Sequence, residues 1–226
     1  MTRVVKEYSE RKNEIIDIAQ KLFYQKGYDA TSIANIIEVV NIAKGTFYHY
    51  FKSKEDLLYQ LTKRQGENIL QKVKCIACDK NLSGIEKFQK IIDDISSYKV
   101  DNVEAMIVMT KAMYKPENIK LRLSIQDIIK VSSGEFSKVV LQGVNEGVFY
   151  TDYPEFITDI IFSIGIYIRD EFAEYICKDN PEPGSYDKLK TKFRMYQNSI
   201  EKLLGVKKGV IKMFDEDILN VFIRRR

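Results

Sequence analysis

The stretch Lys44-Gly45-Thr46-Phe47-Tyr48-His49-Tyr50-Phe51 gathers a cation, a residue without a side chain, a hydroxyl, an imidazole and four aromatic rings. At the start of a helix such a set suits a nucleic acid. Lys44 is a donor for guanine O6 and N7, and Thr46 can meet a thymine methyl or a phosphate. Tyr48 can lay its ring on a sugar while its hydroxyl reaches a phosphate. Gly45 lets the backbone approach DNA closely, at a cost in helix propensity. Lys54, at the start of the next helix, is placed to hold the phosphate backbone together with the N–H groups there. Other chemistry is poorly provided for. His49 is the one histidine of the chain, so no nucleophile–histidine pair exists away from this stretch. No glycine-rich loop could cradle phosphates. Cys75-Ile-Ala-Cys78 supplies two of the roughly four ligands that zinc takes, with no second pair. Cys75, Cys78 and Cys177 read as free thiols in a reducing compartment. Neither an enzyme active site nor a cofactor is expected.

The elements that would carry these residues follow from apolar spacing. Ile15, Ile18, Ala19, Leu22 and Phe23 recur at i, i+3, i+4, i+7 and i+8, one face of a helix that Gly27 can close. Thr31 and Ser32 offer caps for a second helix, with Ile33, Ile36, Ile37 and Val40 on its buried face. Asn41 follows, a residue that tolerates a left-handed turn. Lys44 to Phe51 then forms a short third helix, and Ser53-Lys54-Glu55-Asp56 opens a fourth with Leu57, Leu58 and Leu61 inward. Two short helices joined by a tight turn and bracketed by longer ones make a helix-turn-helix. Phe47 and Phe51 should face its core.

Beyond residue 65 the pattern stays helical. Ile85, Phe88, Ile92 and Ile95 mark one helix. Further helices are expected near 103–114, 117–146, 155–177 and 189–203, the last after the loop Asp179-Asn-Pro-Glu-Pro-Gly184. An amphipathic tail carries Val210, Met213, Phe214, Ile218, Val221 and Phe222. With no run of alternating strands, the fold class is all-α. Hydrophobic residues make up 45% and charged residues 30%, so the chain can bury a core and does not read as disordered. Residues 1–64 carry 11 Lys/Arg against 8 Asp/Glu, and this part holds most of the net charge of +4, as a DNA-facing module requires. The charged N-terminus lacks the apolar core of a signal peptide, and no stretch approaches the ~20 apolar residues of a membrane span. A cytoplasmic protein without membrane contact is expected.

The order Lys-Gly-Thr-Phe-Tyr-His-Tyr-Phe followed by Lys52-Ser-Lys-Glu-Asp-Leu57, with Leu22-Phe23 and Lys26-Gly27-Tyr28 before it, resembles the TetR family of transcriptional regulators across roughly residues 10–60. The resemblance implies a three-helix DNA-binding domain over 1–60, joined by a long helix to a ligand-binding and dimerisation bundle over 61–226. It adds Thr31 and His49 as phosphate contacts, so the expected DNA-facing set is Thr31, Ser32, Lys44, Gly45, Thr46, Tyr48, His49 and Lys54. The sequence departs from the family at Ala43, where a capping serine is usual, and at Ile37, where a small alanine is usual.

The rest of the expected function rests on residue type and on that resemblance. Met106, Met109 and Met113, with Phe136, Phe162 and Tyr167, suit an adaptable apolar pocket for a small, largely apolar effector. The resemblance implies that the two helices before the tail pair with their twofold mates, with Ile161, Ile164, Ile168, Phe193, Tyr196 and Ile200 at the homodimer interface. A twofold dimer presents two recognition helices to a pseudo-palindromic operator in double-stranded DNA. The expected mechanism is repression relieved by the effector, with the fourth helix carrying the shift to the head. The alternatives are a head gated by a protein partner or by oxidation of Cys75 and Cys78, and an enzyme working in the bundle.

Overall fold

In the computed structural model, residues 2–213 and 216–224 are described, with side chains described outside 2–7, 120, 124–131, 216–218 and 224. Among the described residues ten α-helices follow one another: α1 (Thr2–Lys26), α2 (Ile33–Val40), α3 (Lys44–Tyr50), α4 (Lys54–Ala77), α5 (Gly84–Asp101), α6 (Val103–Met113), α7 (Ile119–Asn145), α8 (Ile157–Cys177), α9 (Ser185–Leu203) and α10 (Glu216–Arg224). A 3₁₀ turn at Pro116–Asn118 leads into α7. Among the described residues there is no strand, and no helix is long and apolar enough to cross a membrane. Of the tail residues expected above, Phe214 and the side chain of Ile218 lie outside the described residues.

The helix ends fall where local chemistry puts them. Gly27 (φ +87°) and Asn41 (φ +57°) take the left-handed conformation that stops α1 and α2. Ser32 and Asn35 form a reciprocal capping box on α2. Ser53 and Ser83 accept from backbone N–H groups at the starts of α4 and α5. Ala43 caps α3 with extended backbone but no side-chain bond.

Packing divides into three apolar clusters. The first is the core of the head: Ile15, Ala19, Leu22 and Phe23 of α1 meet Ile36, Phe47, Phe51, Leu57, Leu58 and Leu61. It continues into Met109 and Ala112 of α6 and Leu121 of α7, so residues 1–60 share their core with the body. The second holds the bundle together, with Val73 and Ile76 of α4, Phe88 and Ile91 of α5, Val139 and Val140 of α7, Ile161 of α8 and Ile200 of α9. The third is smaller, with Val103, Ile107, Ile176 and Phe222 joining α6, α8 and α10.

The start of α5 crosses α7 backbone to backbone. A Cβ on Gly84 would lie 2.5 Å from the Gly143 N and 2.6 Å from its Cα, and one on Gly143 would lie 2.3 Å from the Phe149 ring. Gly134, on the exposed side of α7, has nothing within 4 Å of its would-be Cβ. Gly84→Ala is therefore expected to cost about 1–3 kcal/mol through forced separation of α5 and α7. Gly134→Ala should instead add about 0.5–1 kcal/mol through helix propensity. Urea unfolding of the two variants checks the opposed signs.

Candidate nucleic-acid interface

The helix α3 has seven residues, too short to persist alone. Burial of Phe47 and Phe51, at 0% and 1% exposure, pins it to the head. Helical spacing then puts Gly45 and His49 on the outer face, with Lys44 and Tyr48 at the flank of the anchored side; all four are exposed, and Thr46 is half-buried. The Tyr48 ring meets Phe47 edge-on at 5.5 Å and is itself 47% exposed. The exposed surface of the helix thus offers an ammonium, bare backbone, a phenol and an imidazole, while its buried side anchors it. Ser32 is exposed nearby, its hydroxyl within the capping box.

Two expected DNA-facing residues are placed differently. Thr31 is fully buried, and its hydroxyl donates to the Gly27 carbonyl at 2.8 Å and the Leu22 carbonyl at 3.3 Å. Its side chain staples the α1–α2 turn and is not presented to a phosphate. Lys54 is half-buried, with its Nζ donating to the carbonyls of Tyr28 (3.0 Å) and Thr31 (3.1 Å) while lying 4.3 Å from the centre of the Tyr28 ring. The same ammonium that could meet DNA therefore ties the start of α4 to the turn before α2. Tyr28 donates to Glu55 at 3.4 Å, and burial together with that carboxylate pushes its phenol pKa up. Glu55 in turn is held below the usual carboxylate range, first by its hydrogen bond to Ser53.

Periodicity alone did not mark the contribution of Tyr8. The first helix extends back to Thr2, and Tyr8 lies against the recognition helix, 4.7 Å from the Tyr50 ring and 5.6 Å from that of His49. A lone exposed tyrosine ahead of an apolar stripe carries no signal that would find it.

The six expected pocket residues do not surround one space. Met109 is 1% exposed and belongs to the head core, with Met113 packed against it. Met106 joins the third cluster, and Phe136 and Phe162 stack edge-on at 5.0 Å within the bundle. Tyr167 is 47% exposed. The reason is axial. Met106 and Met113 share a side of α6, but seven residues advance a helix by about 10 Å, and α6 runs from body to head. A cleft of about 60 Å³ does open between α4 and α5, lined by Ile69, Val73, Ile91, Ile95 and Tyr98. At its edge Gln65 donates to the hydroxyl of Tyr24 in α1 at 3.0 Å.

The expected dimer residues are also mostly spoken for. Ile161, Ile168 and Ile200 are buried within the single chain at 4%, 3% and 0% exposure. Phe193 meets Phe172 edge-on at 6.3 Å, and Ile164 is half-buried. Tyr196 packs over Gly165 with its hydroxyl 3.4 Å from the Ile161 carbonyl, and burial pushes its pKa up to about 12. The long stripes mostly face the core, while Phe156, Ile160 and Tyr167 beside or on α8, and Met195 on α9, are among the large apolar residues left on the outside. Cys75, Cys78 and Cys177 are exposed and form no disulfide, and among the described residues no group of three His, Cys, Asp or Glu could hold a metal.

Comparison with known proteins places this geometry. Residues 15–61 match the family described as bacterial regulatory proteins, tetR family. A fatty acid metabolism regulator protein of Bacillus subtilis is 27% identical over 134 residues, covering 59% of this chain and 68% of the relative. The transcriptional repressor KstR2 of Mycobacterium tuberculosis is 26% identical over 176 residues, covering 75% and 82%. Among solved structures, the repressor FadR of Thermus thermophilus, in complex with lauroyl-CoA, superimposes with a TM-score of 0.55 at 15% identity, covering 82% of this chain and 92% of that one.

The bare cap at Ala43 gives a direct check on how α3 is held. Its backbone is already extended (φ −70°, ψ 150°), so Ala43→Ser needs no rearrangement to supply the missing acceptor. The variant should be more stable by about 1 kcal/mol. An unchanged urea midpoint would show that α3 is held by its two phenylalanines alone.

Proposed function

We propose, from the premise that this chain belongs to the TetR family of bacterial regulatory proteins, that it represses transcription in the cytoplasm as a homodimer on a pseudo-palindromic operator and releases DNA when a small, largely apolar molecule binds its bundle. The observation that carries the reading is the two-sided α3, with Phe47 and Phe51 sunk in the head and Lys44, Gly45, Tyr48 and His49 exposed. In this reading Lys44 reads a base edge and Gly45 lets the backbone approach. Tyr48, His49, Thr46 and Ser32 hold phosphates and sugars. Lys54 contributes at the start of α4 only if it leaves the Tyr28 and Thr31 carbonyls or shares them, and Thr31 serves the fold.

The route from effector to DNA includes α6 as well as α4. Met109 and Ala112 lie in the head core, and Lys115, just past α6, pairs with Asp29 of the head. A body that repacks around an effector thus shifts α1 through contacts that are already close-packed, which changes the separation of the two α3 helices in a dimer. The coupling between effector and operator is negative, on the order of 1–3 kcal/mol. The outward apolar residues Phe156, Ile160, Tyr167 and Met195 support a dimer through α8 and α9. The complex of the Thermus relative with lauroyl-CoA supports a partly apolar effector.

The test is a selection of genomic fragments by the purified protein at physiological salt with excess competitor DNA. A short pseudo-palindrome is the expected result, and enrichment of no sequence by folded protein sinks the reading. On that operator, Tyr48→Ala and Lys44→Ala should each weaken binding at least tenfold, about 1–3 kcal/mol, without changing the oligomeric state. Ile160→Asp should shift the protein to monomer in sedimentation and weaken operator binding. A dimer that survives this change places the interface elsewhere.

A further inference from the structure

Four helices of the body bring charged groups together close to the head. Arg169 and Asp170 sit in the middle of α8, Tyr114 caps the end of α6, Arg122 lies in the first turn of α7, and Lys99 is near the end of α5. Arg169 donates through Nε (3.2 Å) and Nη2 (2.9 Å) to the same oxygen of its chain neighbour Asp170. That oxygen also accepts the Tyr114 hydroxyl. The Arg122 guanidinium lies 4.9 Å from the centre of the Tyr114 ring. Burial and the Asp170 hydrogen bond push the Tyr114 phenol up to about 12. Lys99 is exposed as a residue, yet its ammonium is crowded enough that desolvation, then repulsion from Arg169, lowers its pKa.

The charges do not balance. Among the described residues Asp170 pairs with Arg169, and neither Lys99 nor Arg122 has an acidic partner at ion-pair distance. Elsewhere this protein satisfies its inward lysines. Buried Lys87 donates to the Ala77 carbonyl and to Gln142 Oε1, each at 2.7 Å, and Lys54 has its two carbonyls. The Arg169 pairing is also incomplete. A guanidinium engages a carboxylate best through two parallel bonds to two oxygens, and here both donors converge on one. Arg122 and Arg169 are both half-buried, and half-buried positive charge without full pairing is costly until an anion joins it. Half-buried Phe172, one turn along α8 from Arg169, provides apolar surface beside it.

We propose that this cluster is an oxyanion site in the effector-binding bundle: Arg122 and Arg169 receive a carboxylate or phosphate group borne on an apolar molecule. The inference rests on the ligand-responsive reading above and adds the charge of the ligand to it. The incoming anion competes with Asp170 for Arg169, and Tyr114 then loses or shares its acceptor. Tyr114 is the residue before Lys115, whose partner is Asp29 of the head. The anion is thus read one residue from a contact that ties body to head.

The experiment uses the full chain without DNA and three soluble probes of equal length, octanoate, octyl phosphate and octanol, with binding followed by titration calorimetry. At least one of the anions should bind ten or more times tighter than octanol, and which of the two binds tighter identifies carboxylate or phosphate as the preferred group. Arg122→Gln and Arg169→Gln should each reduce the affinity of that anion about tenfold and leave octanol unchanged. Should one of these variants fail to fold by circular dichroism, the other gives the same comparison. Equal binding of anion and alcohol, no binding of either anion, or an anion preference that persists in the folded variants overturns the proposal. Operator binding is scored separately. A protein that selects an operator but shows no anion preference refutes this site alone, whereas an anion site in a protein that selects no DNA refutes the regulator alone.

Discussion

The burial of Phe47 and Phe51 is the interaction on which the functional surface depends. Seven residues with a glycine at the second position and an uncapped start would not hold a helix in water. Two fully buried aromatic side chains, each contributing roughly 1.5–3 kcal/mol by removal from water, hold it against the head. The phase of a helix then settles the rest. Once Phe47 points inward, Gly45 and His49, each two positions away, point outward, while Lys44 and Tyr48 flank the buried side and are exposed at its edge. The anchor needs a wall, and the wall includes α6 and α7 as well as α1 and α4, since Met109, Ala112 and Leu121 complete the same core.

That sharing explains which features were legible in the sequence. Every helix of the head, its left-handed stops at Gly27 and Asn41 and its bare cap at Ala43 could be read, because each is a matter of neighbours a few residues apart. The exposed face of α3 could be read for the same reason. Thr31 could not: a threonine ahead of a helix is equally suited to a cap, a phosphate or an inward staple, and only the positions of Leu22 and Gly27 decide among them. Lys54 was legible as a cation at a helix start but not as the residue bonded across 23 positions to the Thr31 carbonyl.

The body shows the complementary limit. Apolar periodicity located its helices and even the seam of α9, but periodicity reports that a stripe is buried, not against what. Ile161, Ile168 and Ile200 satisfy a stripe by facing their own chain. Ile160 and Tyr167, one position away from two of them, are left outside. On a helix one residue is a turn of about 100°, enough to exchange a core for an interface. The methionines of α6 fail as a pocket in a related way, since a common side of a helix is not a common depth along it.

A close-packed joint has a mechanical consequence. Protein interiors do not absorb small shifts by leaving voids, so an element that contributes to two cores carries displacement between them. Helix α6 is such an element: its early residues Val103 and Ile107 pack with α8 and α10, and its later residues Met109 and Ala112 pack with the head. Polar ties limit the slack at this joint, with Asn118 bonded to the Ala112 carbonyl at 2.8 Å and Lys115 paired with Asp29. The middle of α4 is less constrained, because the cleft toward α5 leaves Ile69 and Ile95 only partly covered. A movement that begins in the body therefore meets a stiff path through α6 and a softer one through α4. The stiff path ends at α1, whose packing partners include the two phenylalanines that set the phase of α3.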